Sequence, residues 1–183
     1  MAEADIVVLV EEASACEIVK AISRQLGLAG RVKVLKHQGV GDLKKSIANK
    51  IGNDPFPSTK FLVLCDADLH DCRTLKASLI EQVPKAKRER TMVRIVCREL
   101  EAWYIAQPEA LKKSGTLARN IWGGTQSRNP DEIVDPKREF LRIAHEKGQM
   151  EHARSIGPHL DPDHMKSASF QHFVKALVKL AAK

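Results

Sequence analysis

The 183-residue sequence has no long hydrophobic run: stretches such as Ile6 to Val10 fall far short of the roughly 20 apolar residues a membrane span needs, so a transmembrane helix is not expected. Its opening, Met1-Ala2-Glu3-Ala4-Asp5, is acidic where a secretory signal would be basic, and no apolar segment with a small-residue cleavage site follows. The expectation is a cytoplasmic protein without membrane contact. Cysteine is sparse. Cys16, Cys65, Cys72 and Cys97 form no CxxC pair, which excludes a zinc knuckle or a disulfide scaffold, and Cys65 and Cys97 are expected to pack as small apolar residues. With 8 Pro and 10 Gly, and no internal repeat, collagen-like and low-complexity readings fall away. There is no Gly-x-Ser-x-Gly elbow and no Walker A loop, and Gly39-x-Gly41 falls short of a phosphate-loop pattern, so a serine hydrolase or self-contained NTPase is disfavoured. The seven histidines are scattered, and His159 and His164, with Pro162 between them, make a poor ligand pair.

What remains is ordinary globular composition, 43% hydrophobic and 29% charged, in a chain long enough to bury its own core. The formal net charge of +7 is compatible with an anionic partner, and its location says more than its size. Between Arg73 and Arg98 eight basic residues face only Glu81 and Glu89. Lys85, Lys87, Arg88, Arg90, Arg94 and Arg98 are therefore the candidate nucleic-acid contacts, against the default that a charge run is a solvated face.

Residues 1–110 alternate short apolar runs with amphipathic stretches, which predicts strands and helices of a mostly parallel sheet. Ile6–Val10 and Phe61–Cys65 read as central strands buried on both faces, and Val32–Leu35 and Met92–Cys97 as further strands. Helices follow each strand. Ile18, Ile22 and Leu26 share one stripe closed by Gly27, and Leu43, Ile47 and Ile51 share another that Asp42 is expected to N-cap. A third helix runs from about Asp71 to Val83, and a fourth from Glu99 to Ala106. The fold class is thus α/β, a Rossmann-like sheet flanked by helices. From Leu111 to Pro136, with Gly123-Gly124, periodicity fades, so residues 111–183 are expected to be a loop-rich insertion and C-terminal helices packed on the core. The last helix carries Phe170, Phe173, Leu177 and Leu180 on one stripe, covered either by the sheet or by a partner such as a second copy in a homodimer.

In an open parallel sheet, ligands collect beyond the carboxyl ends of the strands. Glu11-Glu12 follows the first strand and Asp66-x-Asp68 the third, so if those strands are neighbours the carboxylates share one rim. Such groups repel each other unless a divalent cation neutralises them, and Mg2+ (or Mn2+) suits a few carboxylates completed by waters and phosphates. The plainer alternative has Asp66 and Asp68 turning the chain and capping the next helix. Glu101, beyond the fourth strand, is a further candidate ligand, whereas Glu99 also suits a helix start. Trp103 and Tyr104 fit either base stacking or core. Arg94 and Arg98 could reach a phosphate or lie along apolar surface.

A glutamate ending the first strand with DxD ending a later parallel strand resembles the TOPRIM fold of topoisomerases, primases and the overcoming-lysogenization-defect nucleases. More specifically, the chain resembles the TOPRIM-like family 4276 of domains of unknown function. The likeness rests on Val10-Glu11-Glu12-Ala13-Ser14, His37 to Leu43, Leu64-Cys65-Asp66-Ala67-Asp68 with Asp71-Cys72, Arg94 to Trp103, Asn129-Pro130-Asp131 with Asp135-Pro136-Lys137, and Ser167-Ala168-Ser169-Phe170. The resemblance implies Glu11 as metal ligand or general base and Asp66 and Asp68 as magnesium ligands. Two positions depart from it. Gly39-Val40 replaces the usual Gly-Lys, leaving any lysine duty to Lys36, Lys44 or Lys45, and Glu12 stands where glycine is common, leaving open which glutamate faces the metal. The expected activity is a Mg-dependent phosphodiester-processing protein, a nuclease in a defence or repair context. The alternative is a non-catalytic nucleic-acid-binding or regulatory subunit of an ATPase complex, the ATPase partner being implied by the resemblance. A metal-free interaction module with an acidic rim is the third reading.

Overall fold

Ile6, Val8 and Val10 face one way along the first strand and Val7 and Leu9 the other, and the continuous apolar run makes sense only if both faces are covered. In the computed structural model, which describes residues 5–118 and 129–182, they are. Strand β1 (Ile6–Val10) lies between β2 (Val32–Lys36) and β3 (Lys60–Asp66), and β4 (Thr91–Val96) pairs with β3, all parallel, in the order β2-β1-β3-β4. The register sets Val10 opposite Leu64 and Asp66 opposite Val96, so the chain leaves β1 and β3 side by side.

One face of the sheet is covered by α2 (Val40–Ser46), the π-helical turn Ile47–Ile51 that continues it, and α3 (Cys72–Gln82); Leu43, Ile47, Ile51, Leu75 and Leu79 pack there on Leu9, Phe61, Val63 and Val93. The other face carries α1 (Ala13–Gln25), α4 (Glu101–Ala106), α5 (Pro108–Lys113), α6 (Pro136–Ile143), α7 (Gln149–Ile156) and α8 (Ala168–Ala181), which share one core with Val8, Val10, Leu62, Leu64 and Val96. At Gly157 a Cβ would lie 3.0 Å from the Cβ of Ala21, so only glycine lets the end of α7 come this close to α1.

Helix α2 starts earlier than the sequence suggests. Gly39 takes the N-cap position with φ of 88°, and Asp42 sits inside the first turn, where its carboxylate accepts from the N–H of Gln38 at 3.0 Å. The fourth helix starts at Glu101 rather than Glu99, and α5 runs past Leu111 into the stretch expected to be loop-rich. Gly123-Gly124 lies outside the described residues.

The stripe on α8 is core. Phe170, Phe173 and Leu177 are fully buried; Trp103 of α4 stacks on Phe173 with ring centroids 5.2 Å apart and meets Phe170 edge-on at 5.1 Å. The helix is anchored at both ends. Ser167 caps Phe170 N–H, while Lys60 Nζ and Arg31 Nη2 donate to the last carbonyls, of Leu180 and Ala181, at 2.7 and 3.1 Å.

Candidate functional site

Because β1 and β3 are neighbours in register, Glu11 and Glu12 leave the sheet beside Cys65 and Asp66. Glu11 Oε2 accepts the Cys65 thiol at 3.0 Å and the N–H of Asp66 at 3.3 Å, so this glutamate is tied to the end of β3. Its own carbonyl accepts the N–H of Gly39 at 3.3 Å, and the Val10 carbonyl takes His37 N–H at 3.0 Å and His37 Nδ1 at 2.8 Å, which draws the His37–Leu43 stretch to the same rim. Glu12 precedes α1 and accepts the Ser14 hydroxyl.

Asp66 is the centre of this arrangement. Burial pushes its carboxyl well above the usual range, and the like charges of Glu12, Glu11 and Glu101, in that order, push it further. A single backbone donor opposes them, the N–H of Leu100, 3.2 Å from Oδ2. Glu101 is itself raised, chiefly by burial, with Glu99 and Glu12 adding repulsion and Lys137 relieving it. The structure therefore brings Glu11, Glu12, Asp66 and Glu101 within electrostatic reach of one another. Glu12 as well as Glu11 raises Asp66, a participation whose only sequence signal was the Glu-Glu doublet.

Asp68 is placed differently. It is exposed, with φ of 47°, and its N–H donates to the carbonyl of Arg98 at 2.8 Å, while Arg98, with φ of 64°, returns an Nη1 bond to the Asp68 carbonyl at 3.2 Å. Two non-glycine residues in the left-handed region face each other here, a conformation that persists only where surrounding bonds enforce it. Among the described residues the Asp68 side chain has no hydrogen-bond partner. Glu99 serves as a helix-start acceptor: its Oε2 takes the N–H of Lys137, the second residue of α6, at 3.0 Å.

Trp103 and Tyr104 are buried, which removes both from any base-stacking surface. Trp103 Nε1 donates to Ser169 Oγ at 2.8 Å, and Asp131 gathers Ser167 Oγ (2.7 Å), Ser169 Oγ (3.0 Å) and Ser169 N–H (2.9 Å). Three stretches that carry the resemblance thus form one buried polar staple between α4 and α8. Tyr104 Oη is buried without a hydrogen-bond partner, and burial, with the charges of Glu101, Glu12 and Asp66, holds its hydroxyl un-ionised.

The donor set fits a hard divalent cation: all the groups are carboxylate oxygens, one of them buried against its neighbours' charge, with an unsatisfied hydroxyl close by. Among the described residues, however, no three or more His, Cys, Asp or Glu side chains are already drawn around a point where an ion could sit. A bound ion would thus rely on a few of these carboxylates, waters and substrate oxygens.

The basic candidates divide. Lys85, Lys87, Arg88 and Arg90 lie in the 3-10 segment Lys85–Arg90 that leads into β4, at the end of the sheet opposite the carboxylates and about 20 Å away by strand rise. Lys87 Nζ donates to the Asp54 carbonyl, Arg88 Nε to Val83, and Arg90 to the carbonyls of Phe56 and Thr59 while lying 5.8 Å over the Phe61 ring. These four candidate nucleic-acid contacts therefore lie away from the carboxylate rim, and three of them donate to backbone carbonyls. Arg94 bonds the His172 carbonyl of α8 at 3.0 Å, and Arg98 stands at the rim itself.

A four-stranded parallel sheet in this order, with helices on both faces and acidic groups beyond the carboxyl ends of its two middle strands, makes this an α/β protein of TOPRIM/Rossmann-like fold. Comparison with solved structures gives the same fold. The C-terminal region of the Burkholderia pseudomallei OLD protein matches with a TM-score of 0.59 at 14% identity, over 97% of this chain and 98% of that one. The C-terminal region of the Xanthomonas campestris pv. campestris OLD protein gives 0.50 at 16% identity, over 100% of both chains. No curated protein matches. Residues 9–178 match the model of the family described as Domain of unknown function (DUF4276), and the chain belongs to that family. Among the described residues no helix is long and apolar enough to cross a membrane.

Proposed function

We propose that this protein is a metal-dependent phosphodiesterase acting on nucleic acid, a nuclease, with Glu11, Asp66, Asp68 and Glu101 holding Mg2+ or Mn2+. The observation that carries the reading is Asp66: a half-buried carboxyl set against Glu12, Glu11 and Glu101 is costly in the free protein, and that cost is relieved by a cation. When bound, the ion would polarise a phosphate oxygen and lower the pKa of a water. The chain's own residues do the rest. Leu100 N–H orients Asp66, Cys65 and the Asp66 N–H hold Glu11, and the hydrogen-bonded Asp68–Arg98 pair presents one free carboxylate and one guanidinium at the edge of the rim. A cytoplasmic setting, a role in defence or repair and an ATPase partner belong to the same proposal.

A second reading, a non-catalytic nucleic-acid-binding or regulatory subunit, draws on the inward turn of Glu11 onto Cys65. A cleavage assay separates the two. Labelled DNA and RNA incubated with the full chain and Mg2+ or Mn2+ should be cut, and Asp66→Asn and Asp68→Asn should abolish cutting. Intact substrate with both metals, from protein shown to bind the ion, supports the subunit reading instead.

A further inference from the structure

Among the described residues β4 has no strand on its outer side, and a cleft of about 450 Å3 runs along that edge. Its walls come from opposite faces of the sheet: Arg73 and Lys76 from the start of α3, His172 from α8, with Arg94 and Ile95 of β4 between them and Cys97 at one end. Arg73 and Lys76 are three apart on one helix and project to the same side. Among the described residues neither side chain is in a salt bridge, although the charge of Arg73 is felt by Asp71, the N-cap of the same helix. Arg94 is half-buried and fixed by its bond to the His172 carbonyl. The one carboxylate in the lining, Asp131, is held by the hydroxyls of Ser167 and Ser169 and the N–H of Ser169 and forms no salt bridge with these cations, so three positive side chains outnumber one negative charge. The cleft also leads to the rim. Cys97 lines it, and the next residue, Arg98, accepts the N–H of Asp68 through its carbonyl.

We propose that this cleft is the track of the nucleic-acid strand, its phosphates meeting Arg73, Lys76 and Arg94 on the way to the carboxylate rim. The proposal rests on the functional reading above and deepens it by naming the surface that holds the substrate. A positive, partly apolar channel along a strand edge and continuous with the acidic rim suits a polyanion whose reacting phosphate sits at the metal and whose flanking phosphates do not. The basic segment Lys85–Arg90, at the far end of β4, does not have that continuity.

The test uses the full chain with a fluorescein-labelled oligonucleotide, as DNA and as RNA, by fluorescence anisotropy in chelator over a range of salt. Arg73→Glu with Lys76→Glu is compared with Lys85→Glu and Arg88→Glu, which carries the same charge change at the other end of the sheet, and thermal melts verify that both fold. The cleft variant should bind about tenfold more weakly or worse, with a salt slope shallower by about 2, and the control should stay near wild type. Equal loss in both variants, or wild-type affinity in the cleft variant, overturns the proposal. So does displacement of the bound oligonucleotide by poly-glutamate at concentrations where unlabelled oligonucleotide fails, which assigns the cleft to an acidic protein. Cleavage by the wild type with binding indifferent to the cleft variant removes the track alone. Binding through the cleft without cleavage in any divalent metal removes the nuclease reading and leaves the track standing.

Discussion

Removing the Asp131 carboxylate tests how α4, and with it Glu101, is held in place. Asp131 accepts from Ser167 Oγ, Ser169 Oγ and Ser169 N–H at 2.7, 3.0 and 2.9 Å, and both serines are buried. Ser169 in turn accepts Trp103 Nε1, and Trp103 stands two residues from Glu101. A hydrogen bond to a charged group contributes about 1.5–3 kcal/mol, and a buried donor left unpaired costs about 1–3 kcal/mol. Since the three donors share one acceptor group and their losses do not simply add, Asp131→Ala should cost about 3–5 kcal/mol. In a chain of this size each kcal/mol lowers Tm by about 2–4 °C, so the variant should melt roughly 6–20 °C below wild type. Asp131→Asn, which keeps one acceptor oxygen, should lose about half as much. Chemical denaturation of wild type, both variants, Ser169→Ala and the double variant gives the cycle, with a coupling of about 1–3 kcal/mol expected between positions 131 and 169. A loss under about 1 kcal/mol for Asp131→Ala, or strict additivity, would refute the staple.

Asp66 predicts a pH effect with a definite sign. Its folded carboxyl titrates above the unfolded one, so from about pH 4 upward the folded protein holds more protons and metal-free stability falls as pH rises through that window. Asp66→Asn should therefore be more stable than wild type at neutral pH in chelator, with the advantage closing toward pH 4; a gap that is constant with pH, or reversed at neutrality, contradicts it. Phe173→Ala should cost about 3–5 kcal/mol for the cavity beside Trp103 and leave sizing chromatography unchanged, whereas a stable variant with altered assembly would mark the stripe as an interface. Arg90→Ala should cost about 2–3 kcal/mol because the carbonyls of Phe56 and Thr59 lose their charged donor, and it should leave the salt slope of oligonucleotide binding unaltered.

The sheet was readable because a run such as Ile6–Val10 has one physical solution, burial on both faces, and the helices around it because Ile18 and Ile22, or Leu43, Ile47 and Ile51, sit at helical spacing. Shorter elements were not. The six-residue α5 has too few turns to show a stripe, and α2 begins at Val40 with Gly39 as its N-cap, which leaves Asp42 inside the first turn rather than at the cap. The carboxylate rim followed from strand adjacency, but that both Glu11 and Glu12 bear on Asp66 depends on side-chain placement that spacing does not encode. Arg90 looked like a free cation in a basic run, yet it donates to carbonyls 31 and 34 residues earlier and pairs with Asp54 at 3.7 Å. Trp103 and Ser169, 66 residues apart, are joined only by tertiary structure.

Calorimetric titration of Mg2+ and Mn2+ into the metal-free full chain at neutral pH tests the central claim most directly, with Glu11→Gln and Asp66→Asn as controls and melts recorded on the same samples. Saturable binding is expected in the wild type, with stabilisation of about 2.7 kcal/mol at a hundredfold excess over Kd, and loss of both in each variant. No binding heat and an unchanged Tm in the wild type, or binding that survives both substitutions, would contradict it.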